Sequence, residues 1–119
     1  MADYVSVMNH DKSISIAFYV EKDKIFDIGK KMQQIKEEAY MNGYNWEVFF
    51  DYYLSKCAPD ILVGLEHDPE AGMYAAYYDL TPENEKRAEK FKEIICSLVE
   101  NEDEIYKIIH EKGNEIMWE

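Results

Sequence analysis

The segment LEHDPEAGMYAAYYD, residues 65–79, organises the predicted fold. Asp68 to Gly72 carry a turn signal, because proline fixes φ near the value of a turn's second position and glycine supplies freedom to leave it. Met73 to Tyr78 are rich in tyrosine and alanine and contain no helix-capping residue. The stretch therefore predicts a β-hairpin whose second arm is covered on at least one face.

An earlier hairpin is predicted near the start of the chain. Tyr4 to Met8 and Ser13 to Val20 both alternate apolar and polar residues on β-prone runs. In the second run, one face collects Ile14, Ile16, Phe18 and Val20. Asn9 to Lys12 form a short polar loop, which makes the two runs an antiparallel pair.

The apolar period then changes to that of helices. From Asp23, apolar residues recur at three- and four-residue steps, which predicts a helix that ends at Asn42-Gly43: Ile25, Ile28, Met32, Ile35 and Ala39. Asn45 is predicted to cap a second helix with Trp46 at its first position. Pro59 should interrupt that helix, because the residue before a proline is pushed out of the α region.

Two further helices are predicted after the second hairpin. Thr81-Pro82 combines a capping hydroxyl with a proline at the first helical position. Asn101 should cap the last helix, which ends at Gly113, and Glu115 to Trp118 would add an edge strand. The prediction is an α+β fold in a single domain over residues 1–119. It has an antiparallel sheet of four to five strands with about four helices, in the order ββααββαα(β).

Charge is large and uneven along the chain. The net charge is −12; residues 1–59 hold nine acids and seven bases, whereas residues 60–119 hold sixteen acids and six bases, a net −10. Binding to nucleic acid is disfavoured, since phosphate contacts need clustered Lys and Arg. A basic protein partner is favoured instead, by long-range attraction.

The expected location is the cytoplasm. Cys57 and Cys96 lack metal-ligand spacing and lie among apolar neighbours, which predicts buried, reduced thiols. Residues 1–12 show no basic region followed by an apolar run, so we expect no signal peptide. No apolar stretch approaches the length that spans a bilayer, and we expect no membrane association.

One cluster has side chains suited to chemistry. His67, Asp68 and Glu70 would serve as a hard-metal site or a carboxylate pair for acid–base catalysis. The simpler interpretation, a polar turn in which Asp68 bonds its own backbone, is favoured because no spaced ligand set supports a metal. No nucleophile elbow or glycine-rich phosphate loop is present. We therefore expect no catalytic residues, no metal and no cofactor.

Tyrosines are concentrated in two segments. Tyr52 and Tyr53 lie in the second predicted helix, and Tyr74, Tyr77 and Tyr78 lie in the second hairpin. These hydroxyls cannot all be buried and satisfied, so some rings should face water. Tyrosine beside acids is a common anchor at protein interfaces, although scattered surface tyrosines explain the pattern equally well.

Three motifs resemble a known family. They are Gly43-Tyr44-Asn45-Trp46-Glu47, Asp68-Pro69-Glu70-Ala71-Gly72-Met73 and Glu115-Ile116-Met117-Trp118. In this order they are similar to the immunity protein 51 family of bacterial polymorphic-toxin systems. The resemblance implies an α+β protein, without enzymatic activity, that binds and neutralises a cognate toxin.

The functional hypothesis combines this resemblance with the charge. An acidic surface with aromatic anchors would suit a basic toxin, such as a nuclease. The predicted partner-binding residues are Glu47, Glu66, Asp68, Glu70, Tyr74, Tyr78 and Asp79. Two alternatives stay open: an acidic regulatory or adaptor module for another basic protein, and a small carboxylate- or metal-dependent hydrolase.

Overall fold

The computed structural model describes residues 3–119 and has a four-stranded antiparallel sheet. Along the chain the strands are β1 (Val5–Asn9), β2 (Ser13–Phe18), β3 (Glu66–His67) and β4 (Tyr74–Asp79). In the sheet their order is β1-β2-β4-β3, so the two hairpins join through β2 and β4. The predicted antiparallel sheet and both hairpins are confirmed.

Alternation along the strands gives the sheet one buried face. In β2, Ile14, Ile16 and Phe18 are all fully buried. They lie opposite Tyr78, Ala76 and Tyr74 of β4, which are equally buried. A slip of one residue would turn all of these side chains to solvent, so burial fixes the register.

Four helices pack over this face: α1 (Asp23–Ile35), α2 (Gly43–Cys57), α3 (Pro82–Glu100) and α4 (Glu102–Lys112). α3 contacts β1, β2 and β4, α2 contacts β4, and α1 packs against α4. Aromatic rings fill the centre: the Phe50 centroid lies 5.3 Å from that of Phe18 and 5.8 Å from that of Phe91, both edge to face. The predicted α+β class with four helices is confirmed. Within residues 3–119, no helix is long and apolar enough to cross a membrane.

The third helix begins as predicted. Thr81 Oγ1 accepts a hydrogen bond from the Asn84 backbone N–H at 3.1 Å, and Pro82 is the first helical residue. The acids Glu83 and Glu85 occupy the first turn, where the helix dipole favours negative charge. A capping residue followed by proline therefore fixes the residue at which the helix begins.

Asparagine roles around α2 differ from the prediction. α1 ends at Ile35, so the predicted end at Asn42-Gly43 is wrong; Ala39 is buried, but it lies in the loop that connects α1 to α2. Asn42 caps α2 instead, its Oδ1 accepting from the Asn45 N–H at 3.0 Å. Asn45 therefore lies inside the helix, and Trp46 is its fourth residue. The Asn42 backbone is extended, as an N-cap requires.

The end of the chain also differs from the prediction. Asn101 occupies the N-cap position of α4, but its side chain donates to the Ser97 carbonyl of α3 at 2.9 Å. No edge strand forms over Glu115 to Trp118; a 3₁₀ turn, Gly113–Glu115, follows α4. The Trp118 indole donates to the Gly113 carbonyl at 3.0 Å, so the tail bonds to the end of α4 rather than to the sheet.

The cysteines are free thiols, but their predicted burial is wrong for Cys57. Cys57 is exposed because it is the last residue of α2, just before the Ala58-Pro59 step that ends the helix. Cys96 is half-buried within α3.

The start of α2 touches the turn of the second hairpin. The Gly43 N–H donates to the Ala71 carbonyl at 3.0 Å. A Cβ at Gly43 would overlap the carbonyl oxygens of Glu70 and Met73 and lie 2.8 Å from the Met73 carbonyl carbon. Only glycine allows this approach, because the atoms on the other side are backbone and cannot rotate away.

We predict that Gly43→Ala destabilises the protein. Helix propensity alone would favour alanine by up to about 1 kcal/mol. The steric overlap should outweigh it and lower the free energy of unfolding by about 2 kcal/mol or more. Urea denaturation of both proteins measures the difference.

Gly72→Ala is the matched control in the same hairpin turn. Its added Cβ would meet the Glu21 carboxylate at 2.9 Å, the far end of a flexible side chain. Its free energy of unfolding should stay within about 1 kcal/mol of the wild type. Equal losses in the two variants would contradict the argument.

Candidate functional site

The first two of the three motifs that resemble a family meet in space, and the residue after the third motif lies beside them. Gly43 contacts the turn of the second hairpin, as described above. Two residues further along α2, Asn45 is 1% exposed and its Nδ2 donates to the Tyr40 carbonyl at 2.8 Å. Its Oδ1 accepts from the Glu119 N–H at 2.7 Å. The start of α2 thus holds both the turn and the tail.

Trp46 is a core residue. It is fully buried, and its ring centroid lies 4.9 Å from that of Phe18. The indole N–H is buried and finds no hydrogen-bond partner within residues 3–119. The role of Trp46 in the motif is therefore to pack in the core, and its ring is not available at the surface for a partner.

Glu47, the next residue, lies in an acidic environment on α2. Burial raises the pKa of its carboxyl, His67 opposes this shift, and the charges of Glu119 and Asp51 add to it. The His67 ring lies close by, with Nε2 3.8 Å from Asp51 Oδ1. Glu47 is only partly exposed, and it lies on α2 rather than on the strands that carry most of the predicted site.

Tyr74 and Tyr78 are placed inside the core rather than on the surface. Both are fully buried. The Tyr74 hydroxyl bonds His67 Nδ1 at 2.8 Å, and the Tyr78 hydroxyl donates to the Ile61 carbonyl. Burial raises the pKa of the Tyr74 hydroxyl well above its usual range. This corrects the prediction that these two rings anchor a partner.

Tyr77 is the surface ring that sequence reasoning left out of the site. It lies on β4 between the buried Tyr74 and Tyr78, but its side chain points to the other face of the sheet and is 37% exposed. The strand alternation contains this signal, but tyrosines occur in both phases of Tyr74-Ala-Ala-Tyr-Tyr78. The pairing of Tyr78 with Ile14 decides which phase is buried.

The face of the sheet opposite the helices is uncovered. We call it the open sheet face and define it by Ser6, Met8, Ser13, Ser15, Ala17, Glu66, Ala75, Tyr77 and Asp79, none of which is buried. One cross-strand row runs Met8, Ser15, Tyr77 and Glu66, and a second runs Ser6, Ala17 and Ala75. Small side chains occupy its middle, so the surface there is low.

Two of the predicted acids lie on this face, at its border, and two lie just beyond that border. Glu66 and Asp79 belong to the open sheet face itself. Asp68 follows β3, its N–H donating to the Ala75 carbonyl at 2.7 Å, and Glu70 begins the hairpin turn. All four are exposed. The strands therefore bring together four of the five predicted acids, and Glu47 stays apart.

The hairpin acids have no basic neighbours in sequence. No Lys or Arg occurs between Lys56 and Lys86. Across the described ranges, the carboxylates of Glu66, Asp68 and Asp79 take part in no ion pair. Some lysines of the helical layer, in contrast, pair with acids of a neighbouring helix, as Lys24 does with Glu100 at 3.3 Å.

The His67, Asp68 and Glu70 cluster does not assemble a ligand set. His67 and Asp68 are consecutive residues, and His67 turns inward to Tyr74 whereas Asp68 is exposed. In residues 3–119, no three His, Cys, Asp or Glu side chains are grouped so that they could hold a metal. The arrangement fits a polar turn, although the predicted bond from the Asp68 side chain to its own backbone is not among the hydrogen bonds of this segment.

Comparison with known proteins gives one match. The family model described as Immunity protein 51 matches residues 5–114, which include the first two of the three motifs. The predicted resemblance is thereby confirmed. No curated protein sequence and no solved structure matches the chain significantly.

Two glutamates should respond to pH with opposite signs. The pKa of Glu47 is raised mainly by burial, so its ionisation lowers stability as the pH rises through that value. The pKa of Glu102 is lowered, chiefly by the hydrogen bond from the Tyr106 hydroxyl at 2.8 Å and also by Lys31. Its ionised form therefore adds stability at neutral pH that is lost as the pH falls through the lowered value.

We predict that Glu47→Gln raises the free energy of unfolding at pH 7 and that Glu102→Gln lowers it. The Glu47 difference should shrink as the pH falls to the ordinary glutamate value, whereas the Glu102 difference should persist down to that value and shrink only below it, as the pH falls through the lowered pKa. Urea denaturation at a series of pH values measures them. The same sign for both variants at neutral pH would contradict these assignments.

Proposed function

Because the chain belongs to the immunity protein 51 family, we propose that it is an immunity protein that binds a cognate toxin domain and neutralises it. The observation that carries the proposal is the family match over residues 5–114. Neutralisation of this kind needs tight binding alone, and we infer that the protein has no catalytic activity of its own.

The charge of the chain supports a basic toxin as partner. A net charge of −12 on 119 residues creates a negative field around the molecule. Such a field attracts a positively charged domain before contact and raises the association rate. An immunity protein benefits from fast association, because the toxin must be captured before it acts.

A nuclease would be a toxin of this kind. Enzymes that act on nucleic acid present Lys and Arg to the phosphates. An acidic protein offers carboxylates to those same side chains and competes with the substrate. An acidic adaptor for another basic protein would share this surface chemistry and would differ only in its partner.

We predict that the protein and the toxin domain encoded beside it form a salt-sensitive complex. Surface charges are screened at high ionic strength, so the association rate should fall at least about tenfold between about 50 mM and about 500 mM salt. Stopped-flow mixing of the purified pair measures the rate. Co-expression should also restore growth to cells that produce the toxin.

The control is a toxin domain of similar positive charge from an unrelated system. It should associate weakly, and co-expression should give no rescue, because charge alone does not supply a complementary surface. The absence of both a complex and rescue with the cognate toxin would overturn the proposed function.

A further inference from the structure

We propose that the toxin domain docks on the open sheet face and presents Lys or Arg side chains to its acidic border. This inference rests on the proposed function and adds the surface that performs it. The helices that contact the sheet, α2 and α3, pack on its opposite face, so the open sheet face is available without any rearrangement.

The shape of this face suits a protein partner. Ala17 and Ala75 face each other across β2 and β4, with Ser6 beside them on β1. Beside this low row, Met8 is 57% exposed and Tyr77 is 37% exposed, on either side of Ser15. Methionine and tyrosine are enriched at the centres of interfaces, where they anchor a partner once water is excluded.

The charge of the border selects a basic partner. Glu66 and Asp79 lie at the β3 and β4 side of the face, and Asp68 follows directly. These carboxylates have no salt-bridge partner in the part of the chain that the structure describes. An incoming cation therefore breaks no existing ion pair when it binds them.

The area of the open sheet face is smaller than a stable contact needs, so the contact must extend beyond it. Four strands of up to six residues cover roughly 15 by 20 Å, about 300 Å². A stable complex buries about 800 Å² on each partner, so the toxin must also contact the rim. A cleft of about 500 Å³ lies there, and its lining includes Tyr19, Glu21 and Glu70. The Tyr19 hydroxyl bonds Ser6 Oγ at 2.9 Å, which joins this cleft to the open sheet face.

A second copy of the chain is disfavoured as the occupant. None of the residues that define the face is Lys or Arg, so a second copy placed on it offers no base to Glu66 and Asp79. Each copy also carries a net charge of −12, and like charges oppose such a contact.

The test compares variants of the face with variants of the same charge change on α3. Ala75→Arg fills the low row, and Ser97→Arg makes the same change at an exposed helical position. Glu66→Lys reverses a border charge, and Glu89→Lys reverses an exposed charge on α3. Both members of each pair alter the net charge equally, so general attraction changes by the same amount within a pair.

Binding to the cognate toxin domain is measured by calorimetry at fixed salt. The dissociation constant should rise by about tenfold or more for Ala75→Arg and Glu66→Lys, the level that marks a central interface residue. It should rise less than about threefold for the two α3 variants, because they lie outside the contact. Urea denaturation of each variant verifies that it is folded, and Tyr77→Ala gives a further variant of the face without a charge change.

The outcomes separate this inference from the proposed function. If the wild type binds and rescues but the face variants bind as tightly as their controls, the docking surface is overturned and the proposed function stands. If the wild type does not bind, both fall. Self-association of the wild type that Ala75→Arg abolishes would assign the face to a second copy and also overturn the proposal.

Discussion

The contact between Gly43 and the second hairpin is the constraint on which the rest of the arrangement depends. The first residue of α2 lies against the backbone of the turn, and its N–H donates to the Ala71 carbonyl. This fixes where α2 starts relative to the sheet. Trp46, one turn later, then lies in the core against Phe18, and Asn45 is positioned to hold the tail. The three motifs lie far apart in sequence. These contacts bring together the first two motifs and the residue that follows the third.

The pairing of β2 with β4 separates the two faces of the molecule. It directs Ile14, Ile16 and Phe18 to the same side as Tyr74 and Tyr78, where the helices cover them. The same pairing leaves serine, alanine and one tyrosine on the outside. An antiparallel sheet tolerates one solvated face, which a sheet covered by helices on both sides does not offer. The fold therefore provides an open surface without any loss of core.

Charge differs between the helices and the second hairpin. Some bases of the helical layer pair with acids of a neighbouring helix, as Lys31 does with Glu102 at 3.2 Å. Exposed pairs of this kind add little stability, on the order of 0 to 1 kcal/mol, but they reduce the local field. The second hairpin has acids and no Lys or Arg between Lys56 and Lys86. Within residues 3–119, the carboxylates of Glu66, Asp68 and Asp79 therefore lie unpaired at the uncovered face of the sheet.

The amino-acid sequence alone predicts the order of the helices and strands, the two hairpins, the start of α3 and the uneven charge. Each of these depends on local signals: strand alternation, a proline, a capping threonine, or the count of acids. It also carried the motifs that resemble the family. These features depend on residues close together in the chain, so they can be inferred without coordinates.

Long-range contacts determine which asparagine caps α2, which tyrosines are buried and where the tail lies. Asn42 and Asn45 both have capping side chains, and a hydrogen bond from the Glu119 N–H gives Asn45 its different role. Tyr77 and Tyr78 are adjacent, and only the partner strand settles which ring enters the core. The physical reason is common to all three: a polar or aromatic group takes the partner that satisfies it, and here that partner lies far away in the chain.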